Sequence, residues 1–163
     1  MQQEFYFKYI NSPIGWLQLK STDDALWSIH FVDEPGCESE THPSILQKAV
    51  NQLEEYFRGI RKIFDVKLAP KGTEFQRRIW DLVETVPYGC TASYLDISLK
   101  SGSAKKTRAI GLANGKNPIP IIIPCHRIIG TNGKLTGYAG GLDKKRWLLQ
   151  HELSNTNKKE LLF

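Results

Sequence analysis

Apolar and polar positions alternate near the start of the chain in three short runs, at residues 5–10, 16–21 and 25–32. The runs read FYFKYI, WLQLKS and ALWSIHFV, and the connecting segments NSPIG and STDD are rich in turn-forming residues. Alternation with a period of two, bounded by Asn, Pro, Gly and Asp, is typical of strands joined by turns. The pattern therefore predicts a small antiparallel sheet.

The apolar spacing changes at Ser44, where apolar side chains begin to recur every three or four residues as far as Gly59. This spacing places them on one face of a helix. The run IFDVKLA at residues 63–69 then predicts one further strand.

The segment LAPKGTEF, which contains Pro70 and Gly72, has the composition of a loop. The balance of charge also changes there, because residues 1–70 hold 7 Lys and Arg against 10 Asp and Glu, whereas residues 71–163 hold 15 against 7. We therefore expect two domains, 1–70 and 71–163. The basic half could contact a polyanion such as nucleic acid or could be a solvated surface, and charge alone leaves both open.

Beyond the boundary, apolar spacing predicts a helix that begins near Phe75 and ends before Pro87, then a short helix from Ser93. A break at residues 101–103 precedes a second helix that closes at Gly115, which gives a helix-turn-helix outline. Such pairs are often packing units only. DNA binding is favoured by a mixture of basic and small residues in the second helix: Lys105, Lys106 and Arg108 beside Ala104, Ala109 and Gly111.

Prolines punctuate the segment NPIPIIIPCHRIIG, which starts at Asn117 and so cannot be a helix interior. We expect an extended run in which residues 121–123 form a buried, strand-like segment that holds Cys125 rigidly. Cys125 could be an inert core cysteine, or His126 and Arg127 could favour its reactive thiolate. Adjacent residues on a regular strand face opposite ways, so pairing of Cys125 with His126 requires a bend or a bridging water.

The pair His151-Glu152 ends a predicted helix that contains RWLLQHEL. A carboxylate there could orient an imidazole and complete a Cys, His, Glu relay, or it could belong to a solvated helix end.

Three cysteines without metal-ligand spacing argue against a disulfide framework and a zinc site. Apolar content of 40% and the absence of a long apolar run predict a globular protein with no membrane segment and an intracellular, cytoplasmic location.

Six segments lie between residues 73 and 163: TEFQRRIW, VPYG, SYLDIS, TRAIGLANGKNPIP, PCHR and GYAGGL with its trailing helix. They resemble the O6-alkylguanine-DNA alkyltransferases over nearly all of this range, and the N-terminal half is similar in its order of strands and helix. The resemblance implies an α/β fold of the α+β kind: an N-terminal sheet with a helix, then a mainly helical domain with a winged-helix-like helix-turn-helix that binds DNA and accepts the alkyl group.

The resemblance also implies that Cys125 takes the alkyl group from guanine O6 and keeps it as a thioether, so that each molecule acts once. Glu152 and His126 would activate the thiol through a water. Further implied site residues are Arg108, which replaces the flipped base, with Thr107, Ala109 and Gly111 on the DNA-binding helix; Tyr94 at the target phosphate; Asn117, which braces the turn; and Tyr138 and Ala139 at the flipped guanine.

By the same resemblance we expect no metal and no cofactor, and a monomer whose partner is double-stranded DNA containing O6-alkylguanine. Repair of O4-alkylthymine and clustering on DNA are left open.

The sequence departs from the family pattern at two positions, because Cys90 replaces a residue that is often charged and Ala139 replaces a serine found in some members. Two alternatives remain: an alkyltransferase-like lesion binder, which Cys125 argues against, and a thiol hydrolase, which would turn over repeatedly.

Overall fold

The computed structural model describes residues 2–156, and the contacts within the chain divide it between Lys71 and Gly72 into two units. The division falls inside the loop-forming segment around Pro70. Each unit has a core of its own, and the two units are described separately.

The first unit contains a three-stranded antiparallel sheet and one helix. Its strands are β1 (Tyr6–Ser12), β2 (Gly15–Ser21) and β3 (Leu26–Val32), in the order β1-β2-β3. Alternate residues of β2 point inward, since Leu17 and Leu19 are fully buried. Helix α1 (Ser44–Phe57) covers this face with its buried apolar residues. The sheet and the helix predicted from periodicity are confirmed.

The strand predicted at residues 63–69 is wrong. Only Leu68 pairs there, in an isolated parallel bridge with Leu26. The amide of Asp65 donates instead to the side-chain oxygen of Gln52 at 2.8 Å, and the ring of Phe64 packs 5.5 Å from that of Tyr56. The segment is therefore held by side chains of α1 and by two backbone hydrogen bonds between Leu26 and residues 67 and 69, and these do not extend into a strand.

The second unit is mainly helical, with α2 (Glu74–Glu84), α3 (Tyr94–Lys100), α4 (Thr107–Gly115) and α5 (Leu142–Ser154). Capping boxes at Thr73 and Ser93 start α2 and α3. A turn and a short 3₁₀ helix, Ala104–Lys106, separate α3 from α4. The predicted helix pair and the mixed α/β fold class are confirmed.

A short parallel pairing between β4 (Ala92–Ser93) and β5 (Ile128–Ile129) brings two distant parts of this unit together. Strand β4 leads directly into Tyr94, the first residue of α3. Strand β5 follows directly after a 3₁₀ turn at Cys125–Arg127. The cysteine and the start of α3 are thereby placed at the same small sheet.

Residues 121–123 are buried as expected, but the strand-like conformation predicted for them is wrong. The backbone turns at Ile121, whose φ of 76° lies in the left-handed region that β-branched residues rarely adopt. The amide of Ile123 donates to the carbonyl of Ile119 at 2.9 Å and closes this turn. Packing of buried isoleucines outweighs the local backbone preference.

In the part of the chain that the structure describes, no helix is both long enough and apolar enough to cross a bilayer.

Candidate active site

Cys125 lies at the first position of the 3₁₀ turn and is 5% exposed. Two asparagines hold the backbone around it. Asn117 donates to the carbonyl of Ile123 at 2.8 Å and accepts from the amide of Ile119 at 2.9 Å, while Asn114 donates to the carbonyl of Cys125 at 3.3 Å. Burial raises the pKa of the thiol to about 11, and the Asn117 side chain and the charge of Lys145 only partly oppose this. The resting thiol is therefore protonated.

The 3₁₀ turn supplies the bend that a strand could not. It carries the imidazole of His126 into the interior, where Nε2 lies 2.6 Å from Oε1 of Glu152. Both side chains are almost completely buried. The partner of Glu152 is thus His126, and the adjacent His151 instead stacks on Trp147 with ring centroids 4.7 Å apart.

The carboxylate of Glu152 also accepts hydrogen bonds from Arg127, the last residue of the 3₁₀ turn, and from the distant loop residue Gly89. Arg127 donates to both oxygens, from Nε at 2.9 Å and from Nη2 at 3.0 Å, and the amide of Gly89 donates at 3.2 Å. Arg127 also donates to the carbonyl of Val86 at 2.7 Å. Burial alone would raise the pKa of Glu152, but His126 and Arg127 hold it well below the usual range. The carboxylate is ionised.

An ionised carboxylate only accepts hydrogen bonds, so His126 must carry its proton on Nε2. Burial lowers the pKa of His126, and Glu152 offsets part of that shift. The imidazole is accordingly neutral, with a lone pair on Nδ1. That nitrogen is buried and has no hydrogen-bond partner among residues 2–156. It is the free base of the site.

An open cavity of about 970 Å³ adjoins this cluster. Its lining contains six of the residues predicted to contact DNA and guanine: Tyr94, Thr107, Arg108, Gly111, Tyr138 and Ala139. Gly115, Thr136 and Gly137 complete the lining and were not predicted as contacts. Ala109 is exposed on α4 outside this lining, and Asn117 is buried behind it.

Tyr138 lines the cavity and lies close enough to Cys125 for the two side chains to interact electrostatically. Burial raises its pKa well above the usual value, and the nearby Cys125 and Glu152 raise it further. Its hydroxyl therefore keeps its proton at neutral pH and can donate it in a hydrogen bond to a bound base.

The short 3₁₀ helix Ala104–Lys106 and the start of α4 expose basic side chains to solvent, and Arg108 among them lines the cavity. Arg108, Lys105 and Lys106 form no ion pair with any residue that the structure describes. A guanidinium and two ammonium groups are thus available for phosphates or for an inserted contact.

Sequence reasoning missed two buried cations. Arg127 was considered only as an influence on the thiol, whereas the structure pairs it with Glu152. Lys145 belongs to the charged run DKKRW, whose composition suggests an exposed position, yet it is fully buried on α5. Its spacing from Leu148, Leu149 and Glu152 places it on the same helix face, and this was the available signal. Among residues 2–156, no group of His, Cys, Asp and Glu side chains could hold a metal ion.

Two family descriptions match the chain almost end to end. Residues 5–70 match "6-O-methylguanine DNA methyltransferase, ribonuclease-like domain", and residues 74–154 match "6-O-methylguanine DNA methyltransferase, DNA binding domain".

Individual relatives agree with this assignment. A methylated-DNA–protein-cysteine methyltransferase from Methanosarcina acetivorans is 46% identical over 90% of this chain and 97% of its own length. The crystal structure of Mycobacterium tuberculosis O6-methylguanine methyltransferase superimposes with a TM-score of 0.84 at 44% identity, covering 94% of this chain and 95% of that chain. The crystal structure of Mycobacterium tuberculosis OGT in complex with DNA superimposes with a TM-score of 0.82 at 46% identity, covering 91% of this chain and 93% of that chain.

Proposed function

The chain belongs to the 6-O-methylguanine DNA methyltransferase family, whose reaction is repair of alkylated DNA, and we propose that Cys125 accepts the alkyl group from O6-alkylguanine. The observation that carries this proposal is the buried pair of His126 and Glu152, which leaves Nδ1 of the histidine as a free base one residue from the thiol. The arrangement is suited to removing a proton from a thiol that burial otherwise keeps neutral.

In the proposed reaction the thiol proton passes to Nδ1 of His126 through a water molecule. The thiolate attacks the alkyl carbon, a sulfur–carbon bond forms, and the bond from that carbon to O6 breaks with its electron pair on guanine. Guanine takes up one proton and becomes the neutral base. Tyr138 and the backbone amide of Ala139 would stabilise the developing charge by donating hydrogen bonds.

A thioether has no leaving group that water can displace under these conditions, so each molecule would act once. This outcome distinguishes an alkyl acceptor from a thiol hydrolase. Nothing in the proposed step requires a metal, a cofactor or a second substrate.

Access to a base inside a duplex requires that the nucleotide be rotated out of the stack. We infer that α4 lies along the DNA, that the exposed guanidinium of Arg108 fills the gap, and that Tyr94 at the start of α3 bears on the neighbouring phosphate. The exposed basic residues of the 3₁₀ helix and of the start of α4, and the cavity that Arg108 lines, support this arrangement. Whether O4-alkylthymine is also accepted depends on how its smaller ring contacts Tyr138.

The test is the mass of the intact protein after incubation with a duplex oligonucleotide containing O6-methylguanine. We expect a gain equal to one CH₂ per protein molecule, located on Cys125 by peptide mapping, and no further reaction. The Cys125→Ser variant should gain nothing while it still binds the duplex. Methylation of another residue, or many turnovers per protein, would contradict the proposal.

A further inference from the structure

Ser98 is a fully buried serine of α3 that lies outside both the cavity lining and the cluster around the cysteine. It follows Tyr94 by one helical turn. A buried hydroxyl costs free energy unless its hydrogen bonds are made, so a serine is a poor choice for packing alone. The partners of Ser98 therefore show what the residue holds in place.

The hydroxyl of Ser98 spans the turn between α3 and α4. It donates to the carbonyl of Ser103, and it accepts from the amide of Lys106 at 3.2 Å. Lys106 ends the 3₁₀ helix and is the N-cap residue of α4. The backbone carbonyl of Ser98 also accepts from the amide of Ser103, at 3.1 Å. One residue of α3 thus holds both the turn and the start of α4.

The two ends of α4 are held in different ways. Near the C-terminal end, the indole of Trp80 donates to the carbonyl of Ala113 at 2.8 Å, and both residues are buried. Near the N-terminal end, residues 104–106 and 108–109 are exposed. Within the part of the chain that the structure describes, the bond from the Lys106 amide to Ser98 is the hydrogen bond that joins residues 104–108 to α3. The end of α4 that carries Arg108 is therefore held by the Ser98 hydroxyl.

Base flipping, as proposed above, requires one residue from each of these two helices. Tyr94 begins α3 and would bear on the phosphate, whereas Arg108 is the second residue of α4 and would fill the gap in the stack. Both have to act on the same nucleotide, so the start of one helix must keep a fixed position relative to the start of the other. A displaced start of α4 would withdraw Arg108 from the gap while Tyr94 stayed in place.

We propose that Ser98 is a positioning residue that holds the start of α4 against α3 and thereby sets the efficiency of base flipping. It acts through Arg108 and takes no part in the transfer of the alkyl group. The inference rests on the proposed function, since it assumes that Arg108 fills the gap left by the flipped nucleotide.

The experiment compares Ser98→Ala with Ser101→Ala, a control that removes another buried hydroxyl from the end of the same helix. The hydroxyl of Ser101 donates to the carbonyl of Ser98 at 2.6 Å, so its bond does not reach α4. Alanine is a good helix former, and both variants should therefore fold.

Second-order rate constants are measured with O6-methylguanine in duplex DNA and with free O6-benzylguanine, which needs no flipping. For Ser98→Ala we expect a loss of about fivefold on the duplex, as for loss of one hydrogen bond, and a change of less than about twofold on the free base. Ser101→Ala should match wild type within about twofold on both. Equal losses on the two substrates in Ser98→Ala would show that Ser98 supports only the fold, and would overturn the proposal.

A double-mutant cycle tests whether Ser98 acts through Arg108. When Ser98→Ala is added to Arg108→Ala, the rate on the duplex should fall by less than about twofold, because the residue that Ser98 positions is already absent. A general structural defect would instead give a further loss of about fivefold. Such additive losses would overturn the proposal.

Hydrogen exchange tests the hydrogen bond without any reference to activity. The amide of Lys106 should exchange about fivefold faster in Ser98→Ala than in wild type or Ser101→Ala, while residues 113–115 keep their protection. Unchanged exchange at Lys106 would also overturn the proposal. If Ser98→Ala does not fold, Ser98→Cys, whose thiol is a weaker hydrogen-bonding group, is measured in its place with smaller changes expected in the same direction. Failure of wild type to alkylate Cys125 would reject the proposed function and leave the exchange result standing.

Discussion

Protonation states are set at single residues in this site, and they follow from burial. The thiol of Cys125 is kept neutral, the imidazole of His126 is kept neutral, and only the carboxylate of Glu152 is ionised within the triad. In the proposed reaction, charge separation between sulfur and imidazole would therefore occur only during alkyl transfer. Sequence reasoning identified these three residues but not the cation Arg127, because the bidentate contact depends on where the turn aims each side chain.

Replacing Glu152 by Gln should slow alkyl transfer by about tenfold or more and also lower the free energy of unfolding by about 3 kcal/mol. The rate falls because a neutral amide orients His126 but no longer stabilises the imidazolium. The stability falls because Arg127 is left buried without its counter-charge. Single-turnover kinetics and urea unfolding measure the two effects. Glu34→Gln, the same change at an exposed position, is the control, and a Glu152→Gln protein equal to it in both would remove Glu152 from the relay.

At the scale of elements, the predictable parts are those that a local pattern specifies. Helices α2 and α3 carry capping boxes and apolar spacing, so their positions followed from the sequence. Residues 63–69 and 121–123 have strand-like composition. In the first segment, the Gln52 side chain accepts the hydrogen bond of the Asp65 amide. In the second, the backbone makes a left-handed turn at Ile121, and Asn117 braces this turn through the amide of Ile119 and the carbonyl of Ile123. Side-chain bonds decided both conformations, and composition alone does not report such bonds.

Helix α4 gives a prediction that separates base flipping from chemistry. Arg108→Ala should slow reaction with O6-methylguanine in duplex DNA by about tenfold or more, in line with the few kcal/mol that unstacking costs. Reaction with free O6-benzylguanine should be nearly unchanged, because no base has to leave a stack. Both second-order rate constants are measured for wild type and variant. Equal losses on the two substrates would mean that Arg108 supports the fold or the thiol.

On the scale of the whole molecule, the uneven charge of the chain governs its approach to DNA. Because residues 71–163 carry the excess of Lys and Arg, affinity for duplex DNA should fall steeply as salt rises, with little dependence on sequence. Replacing Lys105 by Ala should reduce the slope of log affinity against log salt by about one. Fluorescence anisotropy with a labelled duplex measures this, with Lys48→Ala in the acidic half as the control. A slope unaffected by Lys105→Ala would place the DNA elsewhere.

The free energy of unfolding should also fall as the pH is lowered from 7 to 4. The pKa of His126 lies below its ordinary 6.5 and that of Glu152 below its ordinary 4.5, so the unfolded chain takes up protons more readily than the folded one as the pH falls. The free energy of unfolding should therefore be about 1 to 3 kcal/mol lower at pH 4 than at pH 7. Urea unfolding at several pH values measures it, and a free energy that increases on acidification would contradict the assigned protonation states.

The convergence of donors on Glu152 has an evolutionary consequence. Bonds from the side chains of His126 and Arg127 and from the backbone amide of Gly89 all end on one carboxylate, so a change at His126, Arg127 or Glu152 leaves another buried group unsatisfied. A single substitution here would produce a destabilised protein, and replacing this set of residues by another would require several codons to change together. We therefore expect these positions to be inherited as a block, while the exposed cavity rim at Thr136 and Ala139 is free to diversify one residue at a time.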